Sequence, residues 1–115
     1  MKRVLLVDDD DDLREALCDI LVFAGYEVVG VGSGPDALRW LEDHRPDLIV
    51  LDLMMPGMTG AEVVERMDGA ARAVPVLVLS GDTRLAEQAA ALGAAGWISK
   101  PASMDALLLA VGRYA

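Results

Sequence analysis

Short apolar runs alternate with stretches of helical spacing along the whole chain. Val4 to Val7, Leu48 to Leu51 and Val76 to Leu79 are unbroken, Glu27 to Val31 is weaker, and Gly96-Trp97-Ile98 is a brief fifth run. A strand covered on both faces reads as a continuous run, the habit of parallel sheets. Between these runs, Leu13, Ala16, Leu17, Ile20, Leu21 and Ala24 form one stripe at helical spacing over Asp11 to Ala24, and Gly25 follows where a C-terminal cap belongs. Ser33-Gly34-Pro35-Asp36 opens a second helix through Asp43, with a capping serine, an early proline, and Ala37, Leu38 and Leu41 inward. A third helix is predicted from Gly60 to Asp68, a fourth from Thr83 to Leu92 ended by Gly93, and a fifth from Ser103, its N-cap, to Arg113. In the fifth, Met104, Leu107, Leu108 and Val111 form the expected buried stripe, which leaves Ala106 and Leu109 off it as a hint of a dimer or partner surface.

The order is a strand-helix unit repeated five times, so residues 1–115 are predicted to form one α/β domain. Its expected core is a doubly wound, five-stranded parallel sheet in the order 2-1-3-4-5. Ligands bind such a sheet beyond the carboxyl ends of the strands, where the strand order reverses, here between strands 1 and 3. Asp8 and Asp9 follow strand 1, Asp52 follows strand 3, Ser80 follows strand 4 and Lys100 follows strand 5. Strand 2 ends in Val31-Gly32, with nothing reactive.

Three carboxylates, a hydroxyl and an amine at one mouth make a coherent chemical set. Carboxylates this close repel one another, and a hard divalent cation such as Mg²⁺, which takes oxygen ligands, resolves the repulsion. Asp52 then stays ionised as a nucleophile toward phosphorus, while Lys100 and the metal offset charge on the phosphoryl oxygens and Ser80 donates to one of them. Each residue alone has an ordinary explanation: acids at Asp10, Asp11 and Asp12 suit the positive end of a helix, Asp52 suits a turn, Ser80 a cap and Lys100 a solvated loop. Those explanations do not account for acids at Asp8 and Asp9 abutting a buried strand, or for the whole set falling at the right strand ends.

Charge narrows the partners. The net charge of −9 repels nucleic-acid phosphates and anionic lipid, so neither nucleic acid nor membrane is an expected partner. No apolar stretch approaches the ~20 residues of a membrane span, and Val4 to Val7 is too short for a signal-peptide core, so the expected location is the cytoplasm. The single cysteine, Cys18, excludes an internal disulfide and sits in an apolar helical pattern as buried filler. The only histidine, His44, falls in the polar turn Asp43-His44-Arg45-Pro46.

Over essentially its whole length the chain resembles the receiver domain of bacterial two-component response regulators. The motifs that carry the resemblance are Val4-Leu5-Leu6-Val7-Asp8-Asp9, Asp52 followed by Met55-Pro56 and then Met58 and Gly60, Val76 to Leu79 followed by Ser80-Gly81, and Lys100-Pro101. The resemblance implies a flavodoxin-like (βα)5 fold with Asp52 as phosphoacceptor. It implies Mg²⁺ held by Asp9, Asp8 and Asp52 with the backbone carbonyl of Met54, and Lys100 on the phosphoryl group. It further implies a cis Lys100–Pro101 bond, and a switch in which Ser80 moves toward the phosphoryl group and Trp97 turns inward, altering the face made by helix 4, strand 5 and helix 5. The implied partners are a histidine kinase or phosphotransfer protein upstream and an effector domain or protein downstream, beside the homodimer hinted at by Ala106 and Leu109; the only catalysis implied is of its own phosphorylation and dephosphorylation. Met54 and Asp82 stand where the family tunes hydrolysis, and Ala102 replaces a common Phe.

Two other readings compete. Asp8-x-Asp10 superficially matches an aspartate-nucleophile phosphatase of the haloacid dehalogenase type, but Asp11 and Asp12 follow where that family has Thr or Val, and Ala86 occupies the offset of its further acid. A degenerate receiver acting only as an interaction module would have lost an acid, the hydroxyl or the lysine, and none is lost.

Overall fold

A computed structural model describes residues 1–100 and 103–115. Strands β1 (Arg3–Val7), β2 (Glu27–Val31), β3 (Leu48–Asp52), β4 (Val76–Ser80) and β5 (Gly96–Ser99) alternate with helices α1 (Asp11–Phe23), α2 (Gly34–Asp43), α3 (Gly60–Arg66), α4 (Leu85–Leu92) and α5 (Met104–Tyr114). The strands make one parallel sheet in the order β2-β1-β3-β4-β5.

Successive side chains of a strand point to opposite faces, so the inner strands feed two cores at once. Leu5, Val7, Ile49, Leu51, Val76 and Val78 pack with Ala37 of α2, Val63 of α3, and Leu85 and Ala89 of α4. Val4, Leu6, Leu48, Val50, Leu77 and Leu79 pack on the other face with Leu17 and Leu21 of α1 and Leu107 and Val111 of α5. Every residue of β3 and β4 is buried, which is why those runs are unbroken in the sequence. The edge strand β5 alternates buried and exposed residues, and β2 is only partly covered.

Side-chain caps set the helix starts. Asp10 Oδ1 accepts from the Leu13 N–H, Ser33 Oγ from Asp36, Thr59 Oγ1 from Glu62 and Ser103 Oγ from Ala106. At Thr59 the Glu62 carboxylate reaches back to the Thr59 N–H and completes a capping box.

The structure departs from the sequence pattern at several points. Helix α3 stops at Arg66 rather than Asp68, because Met67 turns to extended backbone and a 3-10 segment follows at Gly69–Ala73. Helix α4 begins at Leu85 rather than Thr83: Ser80 Oγ takes the Asp82 N–H and the Asp82 carboxylate takes the Arg84 N–H, which holds that stretch as a loop. Met104 is exposed, since it opens α5 ahead of the buried line of Leu107 and Val111. Ala16 and Ala24 face solvent beside the buried Leu17–Leu21 line. His44 is exposed in the turn, as expected, and its ring also stacks on Trp40 with centroids 4.5 Å apart. Among the described residues no helix is long and apolar enough to cross a membrane.

Candidate active site at the strand ends

Parallel pairing brings the ends of the inner strands level, with Asp52 beside Leu79 and Ser80 beside Ser99. Of the residues predicted to gather there, Asp8, Asp9, Asp52 and Lys100 come together. Lys100 Nζ donates to Asp52 Oδ2 at 2.9 Å and to Asp8 Oδ2 at 3.2 Å. The other oxygens are held by backbone: Asp52 Oδ1 accepts from the Met54 N–H at 3.0 Å, and Asp8 Oδ1 accepts from the Asp10 N–H at 3.0 Å. Asp8 is 0% exposed and Asp52 2%, so both carboxylates are withdrawn from bulk water, whereas Asp9 is exposed.

One ammonium faces two buried acids, and the balance is negative. Burial pushes the Asp52 carboxyl above its usual range; the Lys100 and Met54 hydrogen bonds and the Lys100 charge pull it back without cancelling the rise, and Asp8 adds to it. For Lys100, burial works downward, but the hydrogen bonds and charges of Asp52 and then Asp8 outweigh it and hold the ammonium above its ordinary value. Asp8, Asp9 and Asp52 each offer one carboxylate oxygen within 4.8 Å of the others. Hard oxygen donors with unneutralised charge are the donor set that Mg²⁺ takes, so these residues fit such an ion.

The loop after β3 returns close to its own start. The Gly60 N–H donates to the Leu53 carbonyl at 3.2 Å, and a Cβ on Gly60 would lie 2.6 Å from the Asp52 carbonyl oxygen and 2.8 Å from Leu53 Cα. Only glycine fits there, and it sets the short path from Asp52 into α3. The Met54 side chain points to solvent, so its backbone is what meets the site.

Ser80 is buried, with its Oγ accepting from the Asp82 N–H at 3.0 Å. Trp97 is 53% exposed and lines an open groove of about 580 Å³ with Ile98, Ser103, Ala106 and Leu109. The Lys100–Pro101 bond expected to be cis, and Ala102, lie outside the described residues. Arg14 was not singled out from the sequence, yet its Nη1 donates to the Asp8 carbonyl at 2.8 Å. Gly30 and Gly32 lie against its side chain.

Comparison with known proteins gives one picture. The family model of the response regulator receiver domain matches residues 4–112. Response regulator MprA of Mycobacterium tuberculosis is 40% identical over 108 residues, covering 92% of this chain and 47% of that protein. The chain thus spans about half the length of the curated relatives it matches (47%). Among solved structures, chemotaxis protein CheY4 of Vibrio cholerae superposes with a TM-score of 0.92 at 36% identity, covering 100% of this chain and 99% of that one. Response regulator protein TrrA of Thermotoga maritima, solved in complex with Mg²⁺-BeF, superposes at 0.89 with 29% identity and full coverage, 100%, of both chains.

Proposed function

The chain belongs to the response regulator receiver domain family, and on that premise we propose that Asp52 is the residue that takes the phosphoryl group. The observation that carries the assignment is the buried Asp8 and Asp52 pair bridged by Lys100, with Asp9 at its rim. The donor is a histidine kinase, a phosphotransfer protein or a small phosphodonor.

In the transfer, an Asp52 carboxylate oxygen attacks phosphorus. The P–N bond of a phosphohistidine, or the P–O bond of an acyl phosphate, breaks with its electron pair going to the leaving group, and an acyl phosphate forms on Asp52. The Met54 N–H and Lys100 aim the carboxylate, and Lys100 then turns its ammonium to a phosphoryl oxygen while keeping Asp8. Asp8, Asp9, Asp52 and the Met54 carbonyl would hold Mg²⁺, which when bound offsets charge on the carboxylates and phosphoryl oxygens. The TrrA complex with Mg²⁺-BeF supports this for a relative of the same fold. Ser80 gives up its contact with the Asp82 N–H to donate to the phosphoryl group, and Trp97 turns inward behind it. The readout is the α4-β5-α5 face, where Trp97 and Leu109 stand exposed for an effector or a second copy. The chain acts in the cytoplasm and turns over no substrate besides its own phosphoryl group. A binding-only module is disfavoured because the acids, the hydroxyl and the lysine are all in place.

The test is the intact mass after incubation with acetyl phosphate, with and without Mg²⁺, beside Asp52→Asn. One added phosphoryl group that needs Mg²⁺ and is absent from the variant is expected. No gain, together with no uptake of beryllofluoride, would leave a binding-only module.

A further inference from the structure

We propose that Arg14 is the positioning residue of the acidic loop: by holding the Asp8 carbonyl it fixes the turn that presents the Asp8 and Asp9 carboxylates together. The inference rests on the reading that these acids take Mg²⁺.

The Asp8 side chain and N–H are otherwise engaged, with Lys100 and the Asp10 N–H on its carboxylate and its own N–H on the Val31 carbonyl. Arg14 supplies the partner for the remaining group, the carbonyl of a fully buried residue, with Nη1 at 2.8 Å. Its Nη2 donates to Asp11 Oδ1 at 2.7 Å, so one planar fork clamps both ends of the Asp8–Asp11 turn. Asp9 and Asp10 lie inside that clamp.

Strand β2 and the residue that follows it are shaped for the arginine. Gly30 and Gly32 are two apart, on one face, toward α1. A Cβ on Gly32 would lie 3.1 Å from Arg14 Nη1, and one on Gly30 would lie 3.4 Å from its Cγ and Cδ and 2.9 Å from Cys18 Sγ. Neither glycine has the positive φ that would itself demand glycine. Close approach of the α1 side chains, and not backbone conformation, accounts for both, and they form the furrow along which the Arg14 stem reaches the site.

The charge of Arg14 and its placement act in opposite directions on a metal. A cation on the acidic loop weakens binding of another cation through space, so deleting it would tighten Mg²⁺ binding. Loss of the clamp frees the Asp8–Asp9 turn and weakens it. The geometry says that placement wins.

The experiment is Mg²⁺ titration of the full chain by calorimetry, with the acetyl phosphate reaction followed against Mg²⁺ concentration, for wild type, Arg14→Ala and Arg14→Lys. Arg14→Ala is expected to weaken Mg²⁺ binding about tenfold, the scale for groups that orient metal ligands, while the rate at saturating Mg²⁺ stays within about twofold. Arg14→Lys keeps the charge but loses the fork, and is expected to fall between the two. Mg²⁺ affinity in Arg14→Ala equal to or tighter than wild type would overturn the inference while leaving the phosphoacceptor reading intact. If Arg14→Ala does not fold, Arg14→Lys decides: weaker binding supports the clamp and equal binding overturns it. A wild-type chain with neither Mg²⁺ binding nor Mg²⁺-dependent phosphorylation overturns both readings.

Discussion

Lys100 Nζ donates to Asp52 Oδ2 at 2.9 Å across an intervening strand, for Asp52 ends β3, Lys100 follows β5 and β4 lies between them. The same ammonium reaches the fully buried Asp8. Lys100→Met therefore leaves two buried acids without their cation. Removing one partner of a buried pair costs ~3–5 kcal/mol. Because Lys100 itself is 25% exposed, a loss of about 2–3 kcal/mol is expected in EDTA. Urea unfolding with and without Mg²⁺ checks this: the deficit should shrink when Mg²⁺ is added, and equal stability in EDTA would mean the pair contributes nothing.

Asp52 has a pH signature. Burial raises its carboxyl above the ordinary value of 3.8, so the folded state binds this proton more tightly than the unfolded chain does. Its contribution to stability is fully present below 3.8 and is lost as pH rises through the raised value. In EDTA at neutral pH, Asp52→Asn should melt at a higher temperature than wild type, and the gap should narrow as pH falls toward 4. A gap that widens on acidification would contradict the assignment of the charge.

Gly60→Ala presses a Cβ onto backbone, 2.6 Å from the Asp52 carbonyl oxygen, where nothing can rotate away. A loss of about 1–3 kcal/mol is expected, with slower phosphorylation because the Asp52 loop is displaced. Gly81→Ala is the control, since nothing lies within 4 Å of its Cβ. Equal melting temperatures for the two variants would show that the loop has slack.

Gly96 and Tyr114 form a matched pair at the edge of the sheet. A Cβ on Gly96 would stand 2.7 Å from Tyr114 Cε2 and 3.0 Å from its hydroxyl, so the phenol end of the ring lies against the glycine. Gly96→Ala should destabilise by about 1 kcal/mol in wild type and by much less in a Tyr114→Ala background. A double-mutant cycle by thermal unfolding reads the coupling, and strict additivity would deny the contact.

Trp97, 53% exposed, is the proposed reporter of the switch. In a Trp40→Phe background, beryllofluoride with Mg²⁺ should shift its emission to the blue and reduce quenching by iodide as the ring turns inward. Ser80→Ala should blunt the response. Identical spectra with and without the mimic would remove Trp97 from the switch.

The amino-acid sequence by itself determined the strands, most helix starts and the identity of the polar residues at the strand ends. Strands buried on two faces must be apolar throughout, and caps such as Ser33 and Ser103 act within three residues, so both signals are local. A polar residue just after such a strand stands at the mouth of the sheet wherever that strand is placed. The Thr59–Glu62 capping box was equally local and could have been read from the T-x-x-E spacing. Tertiary structure alone decided the rest. Asp8 and Asp9 are adjacent acids with the same local signature, yet one is buried on Lys100, 92 residues away, and the other faces solvent. The start of α4 depends on Ser80 and Asp82 turning toward the loop, and the exposure of Met104 depends on where α5 first meets the sheet. Arg14 and its two glycines became intelligible only together, because a furrow in β2 has no meaning until α1 is laid across it. Hydrophobic spacing encodes which face of an element is covered, but not which distant side chain covers it, and that pairing is settled by packing.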